Sequence, residues 1–256
     1  MSKRQKFILT SLILSLGLFF VQDIEEGYRY WAILGLSVIC SGMTFWSLRE
    51  ALAGIRWITT IILPTFFTGA VGLFYFLLPQ SLFSRLPVAA LYALGIYALL
   101  LTENIFSVAA IRTIQLFRAA QAVGFLLTLF TAFLMFDTVF SFKLFFWENY
   151  FWVFFCTLPL GLQGLWSVTL EENLHRKTLG YTFFLALAVS QIALVLSFWP
   201  LTITMASLAL TTVFYVLLGI AQADLQERLF RQTIYEYLGF GLLVLLTLVL
   251  TTRWGA

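Results

Sequence analysis

A cluster of ionisable residues lies at 171–176, where the sequence is Glu-Glu-Asn-Leu-His-Arg. Paired carboxylates near a histidine can act as general acid and base when a second basic group converges on the same water molecule. His175 is the sole histidine of the sequence, so no second imidazole can complete such a set. Cys40 and Cys156 stand in apolar runs without an ionisable neighbour, and a thiol nucleophile needs an activating base. The sequence therefore predicts no catalytic residue, no metal site and no cofactor.

The hexamer has the form EExxxR and resembles the first motif of the CAAX-type intramembrane proteases. In that family the paired glutamates act with histidines on other helices to activate water, a role that the resemblance gives to Glu171 and Glu172. The later histidine motifs of the family have no counterpart in this sequence. We therefore expect the hexamer to be an ordinary charged connection between helices.

A second polar group, Glu103 and Asn104, interrupts a long apolar run. Ionisable residues inside a membrane are costly and mark functional sites by default. If the helix continues to Ile111, Glu103 and Asn104 lie about two turns inside its end, and with Arg112 they form a candidate ligand site near the cytoplasmic boundary. If the helix ends before Glu103, residues 103–118 form a surface helix instead. Arg112 lies about 13.5 Å beyond Glu103 on a straight helix and points the opposite way, so the two cannot pair within one helix.

These residues belong to a chain of 256 residues, of which 61% are hydrophobic and 11% are charged. Soluble domains carry roughly 45–50% apolar and about 25% charged residues. The composition therefore excludes a soluble globular protein and predicts an integral membrane protein. The net charge of +3 is spread thinly along the chain, which excludes a nucleic-acid-binding surface.

Nine apolar segments are long enough to cross a bilayer as helices, which takes about 20 residues. They are 6–22, 29–48, 57–78, 86–106, 119–140, 150–170, 179–199, 201–220 and 234–252. Pro200 separates the seventh from the eighth, because proline disfavours helix at the residue before it. We predict an all-α integral membrane protein, a bundle of about nine transmembrane helices in a single domain over residues 1–256, with eight as the alternative count.

The basic residues predict the orientation, because Lys and Arg collect in cytoplasmic loops. With the N-terminus inside, eleven of the fifteen fall on the inner side and four on the outer side. The inner set is Lys3, Arg4, Lys6, Arg49, Arg56, Arg112, Arg118, Arg176, Lys177, Arg228 and Arg231. We therefore predict that the N-terminus lies inside and the C-terminus outside.

The last inner connection contains two acid–base pairs spaced four residues apart, Asp224 with Arg228 and Glu227 with Arg231. On a helix each pair would stabilise by about 0.2–0.5 kcal/mol. This spacing predicts a solvated helical extension at the end of the eighth segment.

Other features keep a polar path between helices open as an interpretation. The side chains that could line it are those of Glu103, Asn104, Gln163 and Gln191. Pro64 and Pro159 could break the third and sixth segments, as in transporters whose binding sites lie at discontinuous helices. Single prolines are also common in unbroken membrane helices, so this indication is weak.

The stretch Leu100–Ala120, LLTENIFSVAAIRTIQLFRAA, resembles an uncharacterised polytopic membrane-protein family of small-genome candidate-phyla (Microgenomates-type) bacteria. The resemblance implies a multi-pass protein of the bacterial plasma membrane, whose function is unknown. It draws attention to the region from Glu103 to Arg118 as the most distinctive part of the chain.

Three functions remain open from the sequence. A non-catalytic membrane scaffold or assembly component needs packing surfaces alone, and it fits the short loops and the missing catalytic set. A small transporter or lipid-handling protein needs a polar site between helices, for which Glu103, Asn104 and Arg112 are the candidates. An intramembrane protease is a distant third. The expected partners are the lipid bilayer and either a membrane-protein partner or a second copy of the chain.

Overall fold

A computed structural model describes residues 2–49, 56–79, 81–110, 115–170 and 174–252. These residues form nine α-helices and one short 3-10 turn, Glu26–Tyr28, and they contain no strand. The helices are α1 (Lys3–Val21), α2 (Arg29–Leu48), α3 (Arg56–Tyr75), α4 (Leu82–Ala109), α5 (Phe117–Ser141), α6 (Phe146–Thr169), α7 (Arg176–Leu196), α8 (Ile203–Leu225) and α9 (Arg231–Thr251). All nine are long and apolar enough to cross a membrane. The predicted all-helical fold and the count of nine helices are confirmed for this part of the chain.

The fourth helix is longer than the apolar run that predicted it. It begins after Ser81, whose hydroxyl accepts a hydrogen bond from the Ser84 N–H at 3.3 Å, and it continues to Ala109. Near its end the Ser107 hydroxyl donates to the Glu103 carbonyl at 2.8 Å. The alternative of a separate surface helix that starts at residue 103 is therefore wrong, because residues 103–109 continue α4.

The eighth helix extends past its predicted end at residue 220 and is followed by a turn. The helix ends at Leu225, and Glu227 has a left-handed backbone with φ of 56°. The Arg228 N–H then donates to the Ala223 carbonyl at 2.9 Å, which closes the turn before α9 begins at Arg231. The predicted helical extension beyond residue 220 is confirmed as far as Leu225. Its continuation through the two acid–base pairs is wrong, because a non-glycine residue at positive φ interrupts the helical backbone.

The two internal prolines leave their helices continuous. Pro64 lies inside α3 and Pro159 lies inside α6. The Thr68 hydroxyl donates to the Pro64 carbonyl at 2.8 Å, one turn later in the same helix. The hypothesis of discontinuous helices at these positions is wrong, since membrane helices accommodate a proline when neighbouring groups satisfy the backbone.

The chain divides into two compact units within α5. The first unit runs to Thr131 and contains α1–α4 and the first part of α5. Here α1 packs against α2 and α4, and α3 packs against the same two helices, so the four form a closed ring. The ring of Phe67 on α3 stacks on Tyr92 of α4, with centroids 5.8 Å apart. Antiparallel neighbours around a shared interior are the usual result of short connections between spanning helices.

The second unit begins at Ala132 and contains the rest of α5 and α6–α9. In it α6 packs against α7 and α8, α7 packs against α8, and α9 packs on α8. A cavity of about 570 Å³ between α7, α8 and α9 has an almost entirely apolar lining that includes Ile192, Leu217 and Leu245. Among the described residues of α9, Leu248 is the one that is buried. Most of the apolar surface of α9 therefore faces outward.

Close packing in the first unit gives a direct test of this arrangement. A Cβ atom on Gly95 of α4 would lie 2.5 Å from the ring of Phe67, which is itself buried. We expect Gly95→Ala to lower the free energy of unfolding by about 1–3 kcal/mol, because the ring must leave its stacked position. Gly35→Ala is the matched control, since nothing lies within 4 Å of its Cβ position. Equal stabilities of the two variants in detergent unfolding would contradict the packing.

Candidate polar site between helices

Buried polar side chains gather at one end of the first unit, the end at which α1 begins, which we call the N-side. We call this set the polar layer. Its members are Lys6, Thr10, Thr44, Ser47, Arg56, Thr59, Thr60, Thr102 and Glu103, each at most 9% exposed. They come from all four helices of the ring.

The stacked pair Phe67 and Tyr92 fixes the register between α3 and α4. Arg56 precedes Phe67 by eleven residues, and Glu103 follows Tyr92 by eleven residues. Because the two helices run antiparallel with the same rise per residue, Arg56 and Glu103 lie at the same height on neighbouring helices. The fold thus brings together two residues that are 47 positions apart in the sequence.

The remaining helices meet the same level through two further contacts. The Cys40 thiol of α2 donates to the Pro64 carbonyl of α3 at 3.5 Å. Because these helices are antiparallel, Leu48, eight residues after Cys40, lies at the height of Arg56, eight residues before Pro64. The Lys6 ammonium of α1 lies 5.6 Å from the centre of the Trp46 ring on α2. Trp46 is two residues before Leu48, so Lys6 lies at nearly the same height as Arg56 and Glu103.

Three charges lie in the polar layer. Glu103 is fully buried, Arg56 is 4% exposed and Lys6 is 9% exposed. Moving a charge out of water costs several kcal/mol, and partners of opposite sign inside the protein offset this cost. Within the described residues, the layer therefore combines two basic groups and one acidic group inside an apolar bundle.

Hydroxyl groups in the same layer retain hydrogen-bonding capacity. Among the described residues, the hydroxyls of Thr10 and Thr60 are buried and have no hydrogen-bond partner. The side-chain oxygen of Asn104, next to Glu103, is also buried and has no hydrogen-bond partner among the described residues. Buried polar atoms are nearly always paired with protein or with an ordered molecule. Cations with spare hydroxyl groups form a suitable environment for an anionic oxygen-bearing ligand.

The structure places the predicted site residues unequally. Glu103 faces the interior of the unit and Asn104 is half-buried beside it, whereas Arg112 lies outside the described residues. A ligand at this position stays a prediction. Sequence reasoning missed Lys6 and Arg56, because both were counted as loop charges that set the orientation. Their position in the first turn of an apolar helix is the signal that could have identified them.

A match to a known family extends over nearly the whole chain. A family model described as a protein of unknown function (DUF5656) matches residues 10–251. The chain belongs to this family. The DUF5656 match begins in α1 and ends at the last residue of α9, so it includes every member of the polar layer except Lys6. No curated protein and no solved structure matches the chain. The expected family of unknown function is confirmed, and its source in candidate-phyla bacteria stays a prediction.

In the second unit of this DUF5656 chain, an ion pair between α7 and α8 is more accessible than the charges of the polar layer. Asp224 of α8 accepts from the Lys177 ammonium at 2.8 Å and from the Tyr181 hydroxyl at 2.6 Å, both on α7. The side chains of Lys177 and Asp224 are 57% and 32% exposed. Exposed ion pairs contribute little to stability, so this pair differs in kind from the charges of the polar layer.

The other polar residues proposed from the sequence do not gather into one site. Gln163 of α6 is buried in the second unit, where Gln191 of α7 is exposed. Gln191 therefore cannot line an interior path within its unit. In the EExxxR hexamer, residues 171–173 lie outside the described residues, and α7 begins at Arg176 directly after His175. The expectation that the hexamer has no catalytic role stays a prediction.

Proposed function

We propose that this DUF5656 protein is a multi-pass protein of the bacterial plasma membrane that binds the anionic headgroup of a membrane lipid in the polar layer. The N-side faces the cytoplasm in this proposal, in agreement with the excess of basic residues predicted there. The observation that carries the proposal is the burial of Lys6 and Arg56 together with Glu103 in one layer. Buried basic side chains suit the phosphate of a phosphodiester, with which they form charge-assisted hydrogen bonds.

The location of the polar layer supports a lipid as the ligand. Anionic lipids are concentrated in the cytoplasmic leaflet, and basic pockets between helices on that side bind their headgroups. The partnerless hydroxyls of Thr10 and Thr60 could donate to further phosphate oxygens. The role is therefore lipid handling without catalysis, which agrees with the single histidine and the two buried cysteines of the chain.

A membrane scaffold is the second candidate, and the exposed face of α9 favours it. Large apolar surfaces such as those of Leu242, Leu246 and Leu250 lie on this helix. Helices associate within a bilayer through van der Waals packing, so this face suits contact with a helix of a partner protein. In this alternative the polar layer fixes the register of the four helices and binds nothing.

Thiol accessibility separates these two candidates. We place single cysteines at Thr60, inside the polar layer, and at Leu63, one turn deeper on the same helix, after replacing Cys40 and Cys156 by alanine. A membrane-impermeant maleimide added from the cytoplasmic side is expected to label the cysteine at 60 and not the one at 63. The reason is that a polar site admits water whereas the apolar core does not. Silence at both positions would favour the scaffold, and labelling from the opposite side would contradict the orientation.

A further inference from the structure

An acidic residue lies deep in the last part of α5, in the second unit. Asp137 is 7% exposed and stands in an apolar stretch four residues before the helix ends. Within the described residues, no Lys or Arg forms an ion pair with it, and the Ser207 hydroxyl of α8 lies beside it. One carboxyl oxygen, Oδ1, has no hydrogen-bond partner there. An unpaired carboxylate in such surroundings costs several kcal/mol, so something must neutralise it.

A second buried oxygen lies at the same level on α6. The Gln222 amide of α8 donates to the Gly164 carbonyl of α6 at 2.9 Å, which fixes the register of these parallel helices. Fifteen residues before this contact are Asn149 on α6 and Ser207 on α8, so the two are level. Asn149 is 4% exposed, and its Oδ1 also has no hydrogen-bond partner among the described residues.

A fourth group completes the set. The Asn149 amide nitrogen donates to the Ser197 hydroxyl at the end of α7, at 3.1 Å. Asp137 with its neighbour Ser207, and Asn149 with Ser197, thus lie at the same end of the second unit, and we call these four residues the oxygen cluster. A carboxylate, an amide oxygen and hydroxyls are the donors that hard cations prefer. The two partnerless oxygens of the cluster belong to residues that are more than nine-tenths buried, and both can only accept, so a proton or a cation is what would satisfy them.

We propose that the oxygen cluster binds one exchangeable monovalent cation, Na⁺ or H⁺, through the Asp137 carboxylate. Among the other titratable groups of the packed helices, Glu148 lies at the same end, where its carboxylate accepts from the Phe145 N–H at 3.0 Å. Tyr215 and Asp224 lie further along α8 towards its opposite end. Asp137 is therefore the carboxyl group whose charge the cluster must balance. This site is independent of the polar layer, because it lies in the other unit and takes a cation.

Carbodiimide labelling of the full chain in detergent tests the proposal. Dicyclohexylcarbodiimide reacts with protonated carboxyl groups in apolar surroundings, and mass spectrometry of peptides reports its addition at Asp137. In choline chloride we expect labelling at low pH. Protection by added NaCl, with none from choline, identifies Na⁺ as the ligand. Labelling that is indifferent to Na⁺ but falls between about pH 5 and pH 9 identifies an exchangeable proton.

Ser207→Ala tests the contribution of the neighbouring hydroxyl without changing the carboxyl group. We expect the Na⁺ concentration for half-protection to rise about tenfold, or the labelling profile to shift by about one pH unit in the proton case. Ser190→Ala is the matched control, since this buried serine of α7 donates to the Leu187 carbonyl and lies outside the cluster. Labelling that is constant across this pH range and unaffected by Na⁺ would overturn the proposal, because the carboxyl group would then be permanently protonated. Identical behaviour of S207A and S190A would also overturn it.

Discussion

Glu103→Gln is expected to lower the free energy of unfolding by about 3–5 kcal/mol. Glu103 is the one acid of the polar layer, in which Lys6 and Arg56 are also buried. Without its charge, the polar layer would lose its acidic group while Lys6 and Arg56 stay buried in the same layer. Unfolding in a mixed-detergent titration, followed by helical circular dichroism, measures the effect.

Asp224→Asn provides the control for Glu103→Gln. It also removes a carboxylate that accepts from a lysine, but this pair is largely exposed to the surroundings. We expect its unfolding curve to coincide with that of the wild type. If Glu103→Gln were as stable as Asp224→Asn, then Glu103 would not balance buried charge, and the description of the polar layer would be wrong.

Arg56→Gln is expected to weaken the binding of phosphatidylglycerol by roughly tenfold to hundredfold. A buried guanidinium binds a phosphate through charge-assisted hydrogen bonds. A neutral glutamine cannot form bonds of this strength. The measurement is the lipid concentration that half-saturates the increase in melting temperature of the detergent-purified protein. Phosphatidylcholine, whose headgroup carries no net charge, is expected to give a much smaller increase.

Two further variants separate binding from folding. Arg231→Gln removes an exposed arginine at the start of α9 and is expected to leave phosphatidylglycerol binding unchanged. The double variant Arg56→Gln with Glu103→Gln removes one charge of each sign, so it is expected to be more stable than Glu103→Gln alone. Retained phosphatidylglycerol binding in both Arg56 variants would show that the headgroup does not contact Arg56.

The number of helices could be predicted from the sequence because each span is a hydrophobic run of the length that a bilayer requires. Helix ends were harder to predict, because a helix can begin before and end after the hydrophobic run that it contains. The fourth helix, α4, continues past the predicted end at residue 106 to Ala109, and the protein buries Ser107 in this added stretch. At Glu227 the left-handed backbone ends the helix where charge spacing alone favoured its extension.

The polar layer could be predicted in part. Glu103 was identified because an acid in an apolar run is conspicuous. Asp137 is also an acid in an apolar run, and it was overlooked. The burial of Lys6 and Arg56 depends on how four helices close into a ring, and residues far apart in the sequence determine it. The local pattern could place both residues in the first turn of a helix, but it could not show that the ring of helices buries them.

Native mass spectrometry of the purified protein tests the central claim most directly, because it counts the lipids that remain bound to each chain. After delipidation and incubation with equal amounts of phosphatidylglycerol and phosphatidylcholine, we predict that one phosphatidylglycerol stays bound to the wild type. We predict that Arg56→Gln retains none and that Arg231→Gln behaves as the wild type. A wild type that retains both lipids equally, or neither, would contradict the assignment of the polar layer as an anionic headgroup site.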